Sequence, residues 1–163
     1  MSAIISQCGT YRYRLEREGP GDGATAIIMV NPSTADGVQD DATIRKLRGF
    51  GQRYEWGRLM VGNLFAYRAT DVRELATASD PIGPGNDAEL GRIFQSVQRV
   101  VFAWGPTAKL PKRLRDRWRQ VAAIAAWGCD SAPQSIGAPA KDGHPCHPLM
   151  LPYSRTLQDW TAP

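Results

Sequence analysis

The sequence predicts an α/β fold, a three-layer α/β/α arrangement around a short, mainly parallel four-stranded central sheet. Two short apolar runs, residues 26–30 and 100–104, stop abruptly at Asn31-Pro32 and Gly105-Pro106, as strands buried on both faces do. Segments with apolar residues at helical spacing alternate with such strands along most of the chain. With 163 residues, 42% of them hydrophobic, the chain suits one domain with one sizeable core.

The first third of the chain predicts a flanking strand, a buried strand and a helix. Residues 10–18 alternate aromatic or apolar with charged side chains, the period of a half-exposed strand in a hairpin. The run at 26–30 is the first core strand. Residues 40–54 then place apolar residues at helical spacing, and Asp40 or Asp41 can cap the start of this helix.

The remaining chain predicts three more core strands joined by helical crossovers. The expected segments are, in order, a strand at 59–67, a helix from the 80–87 loop to about residue 98, a strand at 100–104, a helix at about 107–127 and a short strand at 135–138. Ligands of parallel sheets bind beyond the carboxyl ends of the strands. We therefore expect the site at that edge of the sheet.

Composition and charge bear on the partner and the compartment. A net charge of +4 and a pI near 9.2 favour an anionic partner, such as nucleic acid or a nucleotide. No stretch reaches the roughly 20 apolar residues that span a bilayer, and the first residues do not resemble a secretory signal. These features predict a cytoplasmic protein without a membrane partner. A single domain is expected over residues 1–163, with its core at about 10–155.

Polar residues gather where the four predicted core strands end. The clusters are Asn31 to Asp36, Asn63 with Tyr67 and Arg68, Trp104-Gly105, and Lys141 to Pro148. Prolines in the first and last clusters make stiff loops that hold side chains at fixed angles. We expect the four clusters to converge on one site.

The first cluster places an amide directly after the first core strand. Asn31 is either a turn residue bonded to its own backbone or an amide that orients a water or a base edge. An amide cannot act as a strong general base, since it does not titrate near neutral pH. Any charge would have to come from Asp36, Asp40 or Asp41.

The later clusters contain both histidines and an arginine. His144 and His147 are either surface residues without a role or donors to an anion that develops in a transition state. Arg68 is either a solvated charge or a bidentate contact to a phosphate. The segment 149–151, Leu-Met-Leu, is either a loop anchor or a wedge that enters a base stack.

Six ordered strings give the chain a family resemblance. They read VNPSTAD, DDATIRK, VGNLFAYRATD, DPIGPGND, AWG and KDGHPCHPL. Together they closely resemble the bacterial and phage family known as domain of unknown function 1643, over about residues 10–155.

More distantly, the same order resembles the uracil-DNA glycosylase superfamily. The matching patterns are Asn31-Pro32 after the first strand, Asn63 with Arg68 after the second, Trp104 to Ala108 after the third, and a late loop with two His-Pro pairs. This resemblance implies a three-layer α/β/α fold with a nucleobase pocket. It also implies that Asn31 positions a water that attacks the sugar C1′, and that His144 or His147 steadies the departing base anion.

The sequence and these resemblances together define a set of expected site residues. The expected catalytic residues are Asn31, Asp36, Asp41, His144 and His147; the expected substrate-binding residues are Pro32, Ser33, Asn63, Tyr67, Arg68, Asn86 and Lys141. No metal and no other cofactor is expected in the leading hypothesis.

Three functions remain open from the sequence. The first is hydrolysis of an N-glycosidic bond of a nucleobase in DNA or a nucleotide. The second is a non-catalytic nucleotide or nucleic-acid binding module that keeps the pocket but lacks a water-activating carboxylate. The third is a metal-dependent hydrolase that uses Asp36, Asp41 and the histidines.

Overall fold

One seven-stranded mixed sheet organises the protein, and three α-helices pack on it. The computed structural model describes residues 1–163. The strands are β1 (Ser2–Ile5), β2 (Arg12–Glu18), β3 (Ala24–Met29), β4 (Arg58–Asn63), β5 (Arg99–Phe102), β6 (Gln134–Ile136) and β7 (Leu157–Asp159). The helices are α1 (Ala42–Arg53), α2 (Asn86–Gln95) and α3 (Arg117–Gly128), and the order of strands in the sheet is β1-β2-β4-β3-β5-β6-β7.

The prediction of a short, mainly parallel four-stranded central sheet is wrong. β3 pairs in parallel with β4 and β5, and β5 with β6, but β1·β2, β2·β4 and β6·β7 are antiparallel. An isolated antiparallel bridge between Tyr11 and Tyr67 adds to the antiparallel pairings. The sequence pattern missed β1 and β7, because strands of four and three residues carry almost no periodic signal.

The parallel strands place their carboxyl ends at one edge of the sheet. Every residue of β3 is buried, as expected for a strand covered on both faces. Met29 is the register partner of Asn63, and Ile28 that of Phe102. The polar residues that follow β3 and β4 therefore emerge side by side.

Helices cover both faces of the sheet, so each face has its own apolar core. α1 packs on one face through Ile44, Leu47 and Phe50. α2 and α3 pack on the other, where Phe94 and Trp118 are among the buried residues. The sheet edge that bears the polar residues is thus held between two packed layers.

The third helix begins later than the sequence predicts. Residues 107–109 and 112–114 form short 3₁₀ turns, and α3 starts only at Arg117. Pro111 is the physical reason, because proline disfavours helical backbone in the residue before it, and Leu110 is extended with ψ at 150°. No helix of the structure combines the length and apolar character needed to cross a membrane.

Candidate functional site

A cavity of about 290 Å³ lies at the carboxyl ends of β3 and β4. We call it the inner cavity. Its polar wall consists of Arg12, Asn31, Ser33, Asp41, Thr43, Asn63, Thr70 and His147. Met29, Ile44 and Val61 supply apolar surface to the same cavity. Residues from β2, the ends of β3 and β4, the start of α1 and the late histidine loop therefore meet in one place.

The side-chain amide of Asn31 has a fixed orientation in this wall. Its Nδ2 donates to the carbonyl oxygen of Ala69 at 2.7 Å and to that of Pro32 at 3.1 Å. Both amide protons are committed to backbone acceptors, which leaves Oδ1 as the free acceptor. Asn31 can therefore hold a water or a donor group of a ligand through its oxygen.

Asp41 brings a carboxylate to the cavity from the start of α1. It is the N-cap of that helix, and its Oδ1 accepts from the backbone N–H of Ile44 at 2.8 Å. The cap bond occupies one carboxylate oxygen. The other oxygen remains available to a group in the inner cavity.

Asn63 is the most buried polar residue of the inner cavity, with 1% of its surface exposed. Its Nδ2 is buried without a hydrogen-bond partner. Behind it, the Nδ2 of buried Asn86 donates to the Asn63 carbonyl at 3.1 Å and to the Leu64 carbonyl at 3.3 Å. Asn86 thus fixes the backbone from which Asn63 projects. An unpartnered buried donor costs about 1–3 kcal/mol, which a ligand acceptor would offset.

Arg12 is a residue of this wall that the sequence interpretation missed. It is 2% exposed, its guanidinium donates to the carbonyl of Ala35, and its Nε is buried without a partner. Burial lowers the pKa of Arg12 to about 10, and the nearby Arg68 acts in the same direction, whereas Asp41 opposes it. Arg12 forms no direct ion pair, and the charge that most favours its protonated form is the carboxylate of Asp41 in the same cavity wall.

His147 presents a neutral imidazole to the inner cavity. Its Nδ1 accepts from the backbone N–H of Leu149 at 3.3 Å, so in the neutral ring the proton sits on Nε2. Burial and the charge of Lys109 lower the pKa of His147, and Asp41 opposes them. His147 is thus a hydrogen-bond donor that stays uncharged near neutral pH.

His144 lies outside the inner cavity, in a separate buried cage. Trp104 Nε1 donates to its Nδ1 at 3.4 Å, and its Nε2 meets Thr107 Oγ1 at 3.1 Å. The ring of Trp118 packs edge-on against it at 5.4 Å between centroids. Burial lowers the pKa of His144; Asp142 opposes this shift and Arg119 adds to it. Both ring nitrogens are in use, so His144 holds the late loop against the core.

Comparison with known proteins gives a family and nothing beyond it. The model described as "Protein of unknown function (DUF1643)" matches residues 12–149, most of the chain. The chain belongs to the DUF1643 family. Searches of the curated proteins and of the solved structures found no match.

The matched region of this DUF1643 chain includes every residue of the inner cavity. Of the five expected catalytic residues, Asn31, Asp41 and His147 line that cavity. Asp36 does not. Its carboxylate closes a turn by accepting from the N–H groups of Val38 and Gln39 at 2.8 Å each.

The expected substrate-binding residues divide between the inner cavity and its surroundings. Ser33 and Asn63 line it. Pro32 is buried beside it, and its carbonyl accepts from the backbone of Ala69. Lys141 is exposed and lines none of the described cavities.

Tyr67 and Arg68 line a second, more open groove of about 390 Å³. We call it the outer groove. It shares the lining residues Ser33, Ala69 and Thr70 with the inner cavity, so the two lie next to each other. No group of three or more His, Cys, Asp or Glu side chains is arranged to hold a metal ion.

Proposed function

We propose that this protein hydrolyses the N-glycosidic bond between a nucleobase and its sugar, in DNA or in a nucleotide. The observation that carries the proposal is the convergence of Asn31, Asp41, Asn63 and His147 on the inner cavity. They offer an oriented acceptor, a carboxylate, an unpartnered donor and a neutral imidazole, the groups that such a reaction uses. The resemblance of the ordered motifs to the uracil-DNA glycosylase superfamily supports the same reaction.

The buried donors favour a ligand with acceptor atoms on its edge. Asn63 Nδ2 and Arg12 Nε lack partners within the protein. A base carbonyl brought against either donor would give it the partner that it lacks. Sites built to hydrogen-bond a ligand reject analogues that lack the matching atom, because the site's own polar groups are then left unpaired. A keto base is therefore preferred to one that presents only donors.

The proposed reaction assigns one step to each group. A water bound to Asn31 Oδ1 is deprotonated by Asp41, and its oxygen bonds to the sugar C1′. The bond from C1′ to the base nitrogen breaks, and its electron pair leaves with the base. The Nε2–H of His147 donates to the base anion that develops, which also gains from the positive charge of Arg12. The base anion then takes a proton from water, and Asp41 returns its proton to the solvent. The products are the free base and a sugar with a hydroxyl at C1′.

The direct test uses oligonucleotides that contain uracil, hypoxanthine or a modified pyrimidine, followed by alkali to cleave at abasic sites. We expect strand cleavage for at least one of these bases. Asp41→Asn should lower the rate by about 10²–10⁴-fold, the usual contribution of a general base. The helix should remain intact, since Asn caps about as well as Asp.

Asp36→Asn is the matched control, because that carboxylate also closes a local turn but lies outside the inner cavity. It should retain the wild-type rate. Intact strands across the whole panel would refute the proposal. Equal rates for wild type and Asp41→Asn would refute the role given to Asp41.

One observation favours a second candidate, a non-catalytic nucleotide or nucleic-acid binding module. The side chain directly after β3 is the amide of Asn31, which cannot itself activate water. Such a module would bind single-stranded DNA or nucleotides with strong salt dependence. It would yield no product on prolonged incubation, the opposite outcome in the same assay.

A further inference from the structure

The outer groove contains an arginine whose hydrogen bonding is incomplete. Arg68 donates through one terminal nitrogen to the carbonyl of Gly9 at 3.2 Å. Its Nε is buried without a partner, and no carboxylate forms an ion pair with it. The terminal nitrogens of Arg68 make only this one hydrogen bond, so they keep free donors that suit an oxyanion in the groove.

A second cation lies close to this arginine. Arg12 lines the inner cavity and Arg68 the outer groove, and the two share the lining residues Ser33, Ala69 and Thr70; the charge of Arg68 also lowers the pKa of Arg12. Arg12 is almost fully buried and also lacks a partner at Nε. The two positive charges repel each other, whereas the carboxylates of Asp41 and Asp36 attract Arg12. An anion bound between the inner cavity and the outer groove would further relieve that repulsion.

The remaining lining of the outer groove suits phosphate. The hydroxyl-bearing residues Thr10, Ser33, Thr34 and Thr70 line it. Hydroxyl groups donate readily to phosphate oxygens. One carboxylate, that of exposed Glu74, is also part of the lining, and its Oε1 accepts from the backbone N–H of Asp71 at 3.1 Å.

We propose that the outer groove is a phosphate subsite in which Arg68 binds the phosphate attached to the nucleoside in the inner cavity. The link to a nucleoside rests on the proposed function, whereas the phosphate subsite itself does not. The shared residues Ser33, Ala69 and Thr70 make the two compartments neighbours, as a base and its attached phosphate require. The ligand is accordingly a nucleotide or a polynucleotide, not a free base or nucleoside.

Calorimetric titration at low salt with inorganic phosphate, with deoxyuridine and with deoxyuridine 5′-monophosphate tests this subsite. The monophosphate should bind about 10–100-fold more tightly than the nucleoside, the range expected for hydrogen bonds to a charged group. Arg68→Gln should abolish both this advantage and the binding of inorganic phosphate. Its affinity for deoxyuridine should stay unchanged.

Arg58→Gln is the matched control, since it removes the same charge at the exposed opposite end of β4. It should keep the phosphate advantage. Glu74→Gln should strengthen phosphate binding several-fold, because it removes a negative charge from the groove while Gln still serves the capping bond. This exposed variant preserves the test if Arg68→Gln does not fold.

A short single-stranded oligonucleotide distinguishes the two sources of phosphate. If the phosphate belongs to a polynucleotide, Arg68→Gln should reduce the salt dependence of oligonucleotide binding by about one phosphate contact. Equal affinity of wild type for nucleoside and monophosphate, or equal losses in Arg68→Gln and Arg58→Gln, would overturn the inference. A phosphate advantage without base release would support the subsite and refute the glycosidic reaction. Base release without a phosphate advantage would support the glycosidic reaction and refute the subsite.

Discussion

The two histidines of the late loop are three residues apart and lie in opposite kinds of environment. His144 is enclosed by Trp104, Thr107 and Trp118, with both ring nitrogens engaged. His147 caps a short 3₁₀ turn through Nδ1 and lines the inner cavity. We call the His144 side the structural end of the loop and the His147 side, which faces the inner cavity, its chemical end under the proposed reaction. Variants of the two histidines should therefore affect different measurements.

The largest expected effect is on the rate at the chemical end. His147→Ala should lower base release by about 10²–10³-fold, the usual loss when one donor to a developing anion is removed. Single-turnover cleavage of the preferred oligonucleotide measures it. His144→Gln, assayed where it is folded, should retain most of the wild-type rate. If both variants lost activity equally, the division of roles would be incorrect.

The next largest effect is on stability at the structural end. His144→Ala should lower the free energy of unfolding by about 2–4 kcal/mol, since it leaves a cavity and removes two buried hydrogen bonds. His147→Ala should cost about 1 kcal/mol or less, the size of a lost helix cap. Urea denaturation followed by circular dichroism measures both. A larger loss for His147→Ala than for His144→Ala would contradict the structural role given to His144.

A smaller effect is expected on the pH dependence of stability. Burial holds the pKa of both histidines below the ordinary value of 6.5 in the folded protein. The unfolded chain therefore takes up protons first as the pH falls. The contribution of the two buried, neutral histidines to stability is complete above pH 6.5. It decreases as the pH drops from there towards their lowered pKa values in the folded protein. His144→Gln should show a shallower loss of urea midpoint below pH 6.5; an unchanged slope would contradict it.

The smallest effect on stability is expected where the loop reaches solvent. Met150 is 88% exposed, so Met150→Ser should change the free energy of unfolding by no more than about 0.5 kcal/mol. If this side chain helps to displace a base from a duplex, the variant should release base more slowly from double-stranded than from single-stranded substrate. Equal rates on both substrates would exclude that role.

Local patterns predicted the parts of the site that depend on sequence neighbours. The cap at Asp41 and the end of β3 at Asn31 follow from residues within a few positions of each. Asn63 emerges beside Asn31 because adjacent parallel strands end together. These features required only the element order and the register of two strands.

The parts that failed depend on packing between distant segments. No spacing rule shows that Arg12, on an antiparallel strand, turns its guanidinium into the cavity. The sequence likewise gave no basis for choosing between His144 and His147, because a proline-rich loop has no fixed periodicity. The edge strands β1 and β7 were missed because strands this short have almost no periodic signal and are defined by their partners elsewhere in the chain.

The bond between Asp41 and the N–H of Ile44 ties the proposed reaction to the integrity of α1. A carboxylate held by a helix terminus needs no other side chain to set its rotation, so its free oxygen keeps one direction. The same arrangement makes the position of this oxygen depend on the first turn of α1. Any substitution that frays the first turn of α1 would swing that oxygen away from its water and slow the reaction, even where the rest of the fold survives.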